Sequence, residues 1–336
     1  MANLRESILI GTQSASKLHD ELMINKTTHK EKSRIDVYEA AHDLDVPVMF
    51  RKLKGLLGAY LAEPTPGILI TTERPMPIQR FTAAHELGHF WMNHDLTLDA
   101  EYNIGMELNR PIGNSDLEIQ ANSFAAAFLM PRWLLVKHLS KLDKAGLKLP
   151  MPLTVYQLAL RIGCSYTATL SMLLNYKLIS SKDSSNLFSQ VLKDLKQSIL
   201  RGTTLPDWKR DVWLLTEEDR DLIIEVSPND FFMLKLTEAS TAGYLLSTED
   251  LQEHGFQIHW KQELQTQNEN LIGGFTKIEL ILSTDFTGSH ILEVPHMRPW
   301  ESQALQSSLK AEVNVIENLP GLSARERGIH LTRMAA

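Results

Sequence analysis

The chain has 336 residues, 43% of them hydrophobic and 22% charged, which is enough apolar material for two or three globular domains and too much for a disordered polypeptide. With 34 basic residues against 41 acidic ones and a net charge of −7, a non-specific nucleic-acid binder is not expected, although a local basic face is compatible with that total. Cys164 is the only cysteine, so an intrachain disulfide is excluded and stability must come from the core or from a metal.

In chain order, the opening stretch MANLRESILIGTQSASK lacks a basic lead followed by a long apolar core, so it does not read as a secretory signal. The most apolar later run, ANSFAAAFLMPRWLLV, is interrupted by Asn122, Pro131 and Arg132 and is too short for a bilayer. A cytoplasmic protein is expected. The strongest early strand candidate is GILITT, Gly67 to Thr72, bounded by EPTPG and ERPMP. It reads either as an internal strand or as an edge on which an extended peptide can pair through main-chain hydrogen bonds.

RFTAAHELGHFWMNH follows at once, residues Arg80 to His94. On a helix, His85 and His89 fall one turn apart on the same face, with Glu86 beside them. Hydrolysis by zinc needs ligands that leave one position open for water, and a carboxylate that takes that water's proton. The two imidazoles fit the first requirement and Glu86 the second. Gly88 leaves room for a neighbouring segment, while Phe81, Leu87 and Trp91 are expected to anchor the helix in the core. A third ligand is offered by Glu118 in SDLEIQANSFAAAFLMP, a second helix that Pro131 ends. Asn122, one turn beyond Glu118, shares its face and can orient a ligand histidine from behind. Ser115 and Glu118 also form a capping-box pattern, in which the glutamate would only bond back to the helix start. His94 is more simply a surface or capping histidine than a ligand.

TVYQLALRIGCSYTATLSMLLNYKLIS carries helical spacing broken at Gly163, with Ser165 placed to cap a second helix. This helix-turn-helix pattern contains only Arg161 and Lys177 as cations, too few to neutralise many phosphates, so a helical subdomain packed on its neighbours is favoured over DNA binding. The polar link KDSSNLFSQVLKDLKQSILRG then leads to TLPDW. From about Pro206 the pattern changes to short alternating runs, DLIIEVS, FFMLKLTE, FQIHWK, TKIELILS and HILEVP, separated by turn residues. The expected fold class is α+β. A helical domain with a small sheet fills residues 1–150, helix-turn-helix and linker fill 151–205, an all-β sandwich fills 206–320, and 321–336 form a tail.

RFTAAHELGHF followed by LEIQANSFAAAFLMP resembles the ImmA/IrrE family of zinc metallopeptidases, whose pattern is H-E-L-G-H and then E-x-E-A-N-x-F-A-A-x-L-L-M-P. The likeness extends over about residues 35–180. It implies zinc on His85, His89 and Glu118, with Glu86 as general base. Gln120 stands where the family usually has a second glutamate, and Phe128 where it has an aliphatic residue. Glu118 keeps its relation to Asn122, so the site is expected to survive both departures. The resemblance also implies a substrate class, helix-turn-helix transcriptional repressors cleaved inside the cell.

In the β-rich part, EASTAGY, NLIGGF and HMRPWE are loop-like stretches whose order and spacing resemble the chagasin family, immunoglobulin-like inhibitors of papain-type cysteine proteases. Those proteins present an N-P-T-T-G loop, a glycine-rich loop and an R-P-W loop at one end of a sandwich. Here Thr241 and Gly243 remain of the first, Gly273 and Gly274 of the second, and Arg298, Pro299 and Trp300 match the third in full. These residues are the expected partner-binding loops, since Trp and Arg often dominate interface energetics. The combined expectation is a zinc-dependent endopeptidase with a chagasin-like domain for substrate selection or regulation. The alternative is a binding or inhibitor protein whose metal site is structural or latent.

Overall fold

A computed structural model of the protein describes residues 4–24, 34–94, 98–100, 116–238, 245–248, 250–265, 276–298 and 306–317. Helices and several small sheets are mixed, an α+β composition. The described residues fall into two compact units, one holding the chain to Leu139 with Leu158–Phe188, the other Ser140–Gln157 with Ser189–Glu317. Among the described residues no helix is long and apolar enough to cross a membrane.

The first unit starts with α1 (Leu4–Glu21), whose buried residues Ser7, Gly11, Ala15, Leu18 and His19 recur at helical spacing. Asp36 caps α2 (Val37–Asp43) by accepting from the backbone N–H groups of Tyr38 and Glu39. Strands β1 (Val48–Arg51), β2 (Leu56–Leu61), β3 (Gly67–Thr71) and β4 (Leu98–Ala100) form one sheet in the order β1-β3-β2-β4. β3 runs parallel to β1 and antiparallel to β2, so GILITT is an internal strand and not a peptide-accepting edge. The physical reason lies in Ile68 and Ile70, which are 1% and 0% exposed and need neighbours on both sides.

Helix α3 (Met76–Trp91) carries the histidine motif and is buried continuously from Thr82 to His89. A helix buried almost all round shows little amphipathic pattern. Leu87 is fully buried as expected, whereas Phe81 and Trp91 are only half-buried at the helix margins. Helix α4 (Asp116–Leu129) packs against α3 and against α1. Two glycines permit these approaches: a Cβ on Gly88 would sit 2.9 Å from the Phe124 ring, and one on Gly11 would strike the Gln120 carbonyl of α4.

Helix α5 (Arg132–Lys144) begins directly after Pro131, and α6 (Pro152–Ile162) is followed by Gly163 at φ +72°. Ser165 then caps α7 (Tyr166–Asn175) by accepting from Ala168 N–H. Arg161 is 1% exposed, so of the two cations in this stretch only Lys177 faces solvent. Helix α8 (Ser181–Phe188) closes the unit.

The second unit contains α9 (Leu192–Ile199) and two four-stranded sheets. One sheet has the order β5-β7-β10-β9, from β5 (Val212–Thr216), β7 (Phe231–Glu238), β10 (Thr276–Ser283) and β9 (Gln257–Gln265). The other has the order β6-β12-β11-β8, from β6 (Leu222–Val226), β12 (Gln306–Val315), β11 (Gly288–Met297) and β8 (Leu245–Leu246). Short α10 (Asp250–Glu253) precedes β9. β5 is buried at every position, unlike the alternating β6, because polar side chains cover its outer edge. Gln157 donates to Val212 O and accepts from Leu214 N–H, both at 2.8 Å, as a neighbouring strand would.

Candidate metal centre

Three side chains from two helices converge: His85 and His89 from α3 and Glu118 from the first turn of α4. Their ligand atoms all lie within 4.8 Å of one another, with Nε2 of His85 and Nε2 of His89 3.0 Å apart. The Glu118 oxygens stand 3.3 Å from His85 Nε2 and 3.5 Å from His89 Nε2. Both imidazoles are completely buried, whereas Glu118 is only partly so. Glu118 therefore turns toward the histidines; Ser115, its alternative capping partner, lies outside the described residues.

The surrounding hydrogen bonds favour particular imidazole tautomers. His85 Nδ1 stands 3.0 Å from Asn122 Oδ1, an atom that only accepts, which favours a proton on Nδ1 and turns Nε2 toward His89 and Glu118. His94 Nε2 faces Gln120 Oε1 at 3.0 Å and must donate to it. The neutral His94 ring then offers a lone pair at Nδ1, which accepts from His89 Nδ1 across 3.0 Å. His89 Nε2 then turns toward His85 and Glu118. Two imidazole nitrogens and a carboxylate thus converge on a common point, a donor set that could hold a metal ion. Two nitrogens and a carboxylate favour zinc by ligand type.

Glu86 is fully buried beside this group without belonging to it. Gly58 of β2 faces it: a Cβ there would lie 3.0 Å from Glu86 Oε1 and collide with Thr82. The missing side chain lets the strand approach the carboxylate.

His94 was the residue whose role spacing alone could not reveal. Asn93 follows the end of α3 in the left-handed region at φ +54°, its N–H bonding to Phe90 O while His94 N–H returns to His89 O. This is a Schellman closure with asparagine in the usual glycine position, and it folds His94 back onto the helix it has just left. The sequence signal was Asn93 directly after Trp91-Met92, read together with Gln120.

Of the expected partner-binding residues, Thr241, Gly243, Gly273, Gly274, Pro299 and Trp300 lie outside the described residues. Arg298 is described and half-buried just beyond β11. The strands leading to all three loops end together. Glu238 of β7 pairs with Thr276 of β10, which also pairs with Gln265 of β9, while Met297 of β11 pairs with Leu245 of β8. Leu246 N–H donates to Glu238 Oε2 at 2.9 Å, tying the two sheets at that end.

Residues 41–171, within the stretch of about 35–180 that carries the sequence resemblance, match the family model of the IrrE N-terminal-like domain, a peptidase family. That stretch is thus similar to a metallopeptidase family. Solved structures similar to the C-terminal part are chagasin-like cysteine protease inhibitors. The inhibitor EhICP2 from Entamoeba histolytica is 20% identical, with 32% of this chain and 96% of that one covered at a TM-score of 0.27. Amebosin is likewise 20% identical, with 31% and 97% covered at a TM-score of 0.25. No curated protein matches the chain.

Proposed function

We propose that the protein is a zinc-dependent endopeptidase that cleaves an intracellular regulator, with a helix-turn-helix repressor as the substrate class its family resemblance implies. The observation that carries this reading is the convergence of His85 Nε2, His89 Nε2 and a Glu118 oxygen with a buried carboxylate, Glu86, alongside. His85, His89 and Glu118 would hold the zinc ion, which would supply Lewis acidity toward a peptide carbonyl and toward a water whose pKa it would bring to about 7. Glu86 takes the proton of the attacking water and delivers it to the leaving amine. Asn122 holds His85 in the required tautomer. With GILITT internal, β4 becomes the strand at the end of the sheet next to β2 and hence next to Glu86, the edge on which an extended substrate would pair.

The C-terminal unit is the regulatory or substrate-selecting part in this proposal. Its support is the common end of the sandwich from which the Thr241, Gly273 and Trp300 loops depart. Direct DNA reading by residues 154–180 is disfavoured by the burial of Arg161.

The test compares new protein N-termini in cells expressing the wild type and Glu86→Gln. Fragments of a regulator should appear with the wild type alone, and purified Glu86→Gln should retain stoichiometric zinc while losing about 10²–10⁴-fold in rate. Identical N-terminal profiles with metal retained in both would instead favour the binding or inhibitor alternative.

A further inference from the structure

We infer that His94 and Gln120 are positioning residues for the metal, holding His89 as Asn122 holds His85. The inference rests on the metal reading above and extends it to residues outside the ligand set. The argument begins with a mismatch in chemistry. An imidazole that binds a metal through Nε2 needs a hydrogen-bond acceptor at Nδ1, which fixes the tautomer and stops the ring rotating about Cβ–Cγ. His85 has a side-chain acceptor at 3.0 Å in Asn122. At His89 the corresponding atom is Nδ1 of another histidine, a group that can be donor or acceptor.

Gln120 resolves the ambiguity. Its Oε1 cannot donate, so the His94 proton sits on Nε2 and His94 Nδ1 is an acceptor toward His89. The relay is thus directional: His89 donates to His94, and His94 donates to Gln120. Both ends are anchored in backbone. Asn93 at φ +54° and the return bond from His94 N–H to His89 O, 3.0 Å, hold His94 against α3. Gln120 is held by α4, between Glu118 and Asn122. Five residues of α4 therefore contain one ligand and the outer anchors of both ligand histidines. The glutamine at 120, which in the sequence looked like the loss of a family carboxylate, keeps the acceptor that the relay requires and dispenses only with the charge.

The experiment measures zinc affinity of the full-length protein by competition with a chromophoric chelator, and the visible spectrum of the cobalt(II) form as a report on ligand geometry. His94→Leu should weaken zinc binding by about 10–100-fold and alter the cobalt bands, while the circular dichroism of the metal-free protein stays unchanged. His94→Asn should recover most of the affinity, because its Oδ1 occupies the place of Nδ1 and accepts from His89 as Asn122 does from His85. Gln120→Leu should weaken binding toward the lower end of that range, and Gln120→Glu should bind at least as well as the wild type. The Gln120 variants change a half-buried side chain and remain informative if His94→Leu does not fold. Wild-type affinity and spectrum in Gln120→Leu together with His94→Leu would overturn the inference while leaving the metal reading intact. So would equal losses in folded His94→Leu and His94→Asn, which indicate packing alone. A wild type that takes up no zinc overturns the metal reading and this inference with it.

Discussion

Two buried polar clusters, one in each unit, differ in composition and in chemistry. In the N-terminal unit, His85, His89 and Glu118 bring their ligand atoms within 4.8 Å of one another. In the C-terminal unit, Tyr156, Gln157, Lys196, Asp211 and Asp230 match donors to acceptors. Lys196 Nζ reaches Trp208 O at 3.0 Å, Arg210 O at 2.6 Å and Asp211 Oδ1 at 3.1 Å, an acceptor for each ammonium hydrogen. Tyr156 donates to Asp211 at 2.9 Å and accepts from Val212 N–H at 3.0 Å, while Asp230 accepts from the N–H groups of Asp211 and Ser227. Burial of polar groups is thus no guide to function by itself. A cluster whose donors and acceptors are spent on distant backbone pins chain segments together, whereas one that gathers metal-ligating atoms at a point could hold an ion.

The contrast is broken most forcefully by metal. Zinc at about a thousand times its dissociation constant should stabilise the N-terminal unit by about 4 kcal/mol. Hydrogen exchange on the full chain should then show added protection in α3 and α4 and none in β5 or β7. Equal protection in both units would remove the distinction between a metal-holding cluster and a structural one.

Next in size, Tyr156→Phe strips one donor and one acceptor from the structural cluster and leaves Val212 N–H without the hydroxyl it now meets. The expected cost is about 1–3 kcal/mol in chemical denaturation of the C-terminal unit, with zinc affinity unmoved. A variant as stable as the wild type would show that water replaces the hydroxyl at no penalty.

A pH series sharpens the same point. Burial, reinforced by the Asp211 carboxylate, pushes the Asp230 carboxyl up from 3.8 to about 7. Between those values the folded chain holds a proton that the unfolded chain releases, so this group's stabilising contribution is full below about pH 4 and declines as pH rises toward 7. The slope is at most about 1.4 kcal/mol per pH unit. It should be missing from Asp230→Asn, and parallel stability curves for the two proteins would contradict the assignment.

The smallest effect concerns Cys164, whose thiol is pushed up to about 11 mainly by burial, against the opposing influence of Arg80 and Arg34. Native protein should leave a thiol reagent unconsumed at pH 8, and denaturant should release one reactive equivalent. Rapid labelling of the native chain would contradict the burial of this side chain.

Which parts of this were legible in sequence follows from the range of the forces involved. His85, His89, Glu118 and Asn122 were readable because their relations are one helical turn long and need only a period. The alternating runs of β6 and β11 announced themselves, but β5, VWLLT, did not, because Gln157 and Tyr156 cover it from a distant helix and remove the need for polar alternation. β1 and β2 were hidden for a related reason: β2 is buried at four successive positions, Leu57 to Tyr60, in a sheet whose other members lie elsewhere in the chain. His94 with Gln120 depended on a left-handed turn and on an approach between two helices, neither of which a linear spacing encodes.

Gly11 has a practical consequence for where the peptidase-like domain begins. The family match starts at residue 41, beyond α1 altogether, yet a Cβ at Gly11 would meet the backbone of Gln120 and Phe124. Leu18 is fully buried, and His19 Nε2 reaches the Phe128 carbonyl at 2.9 Å, farther along the same α4. A fragment trimmed to the family boundary would therefore expose the back of the very helix that presents Glu118, and its poor behaviour in solution would say nothing about the chemistry on the other side. The smallest piece in which that chemistry can fairly be judged starts with the first helix, upstream of every motif that announces it.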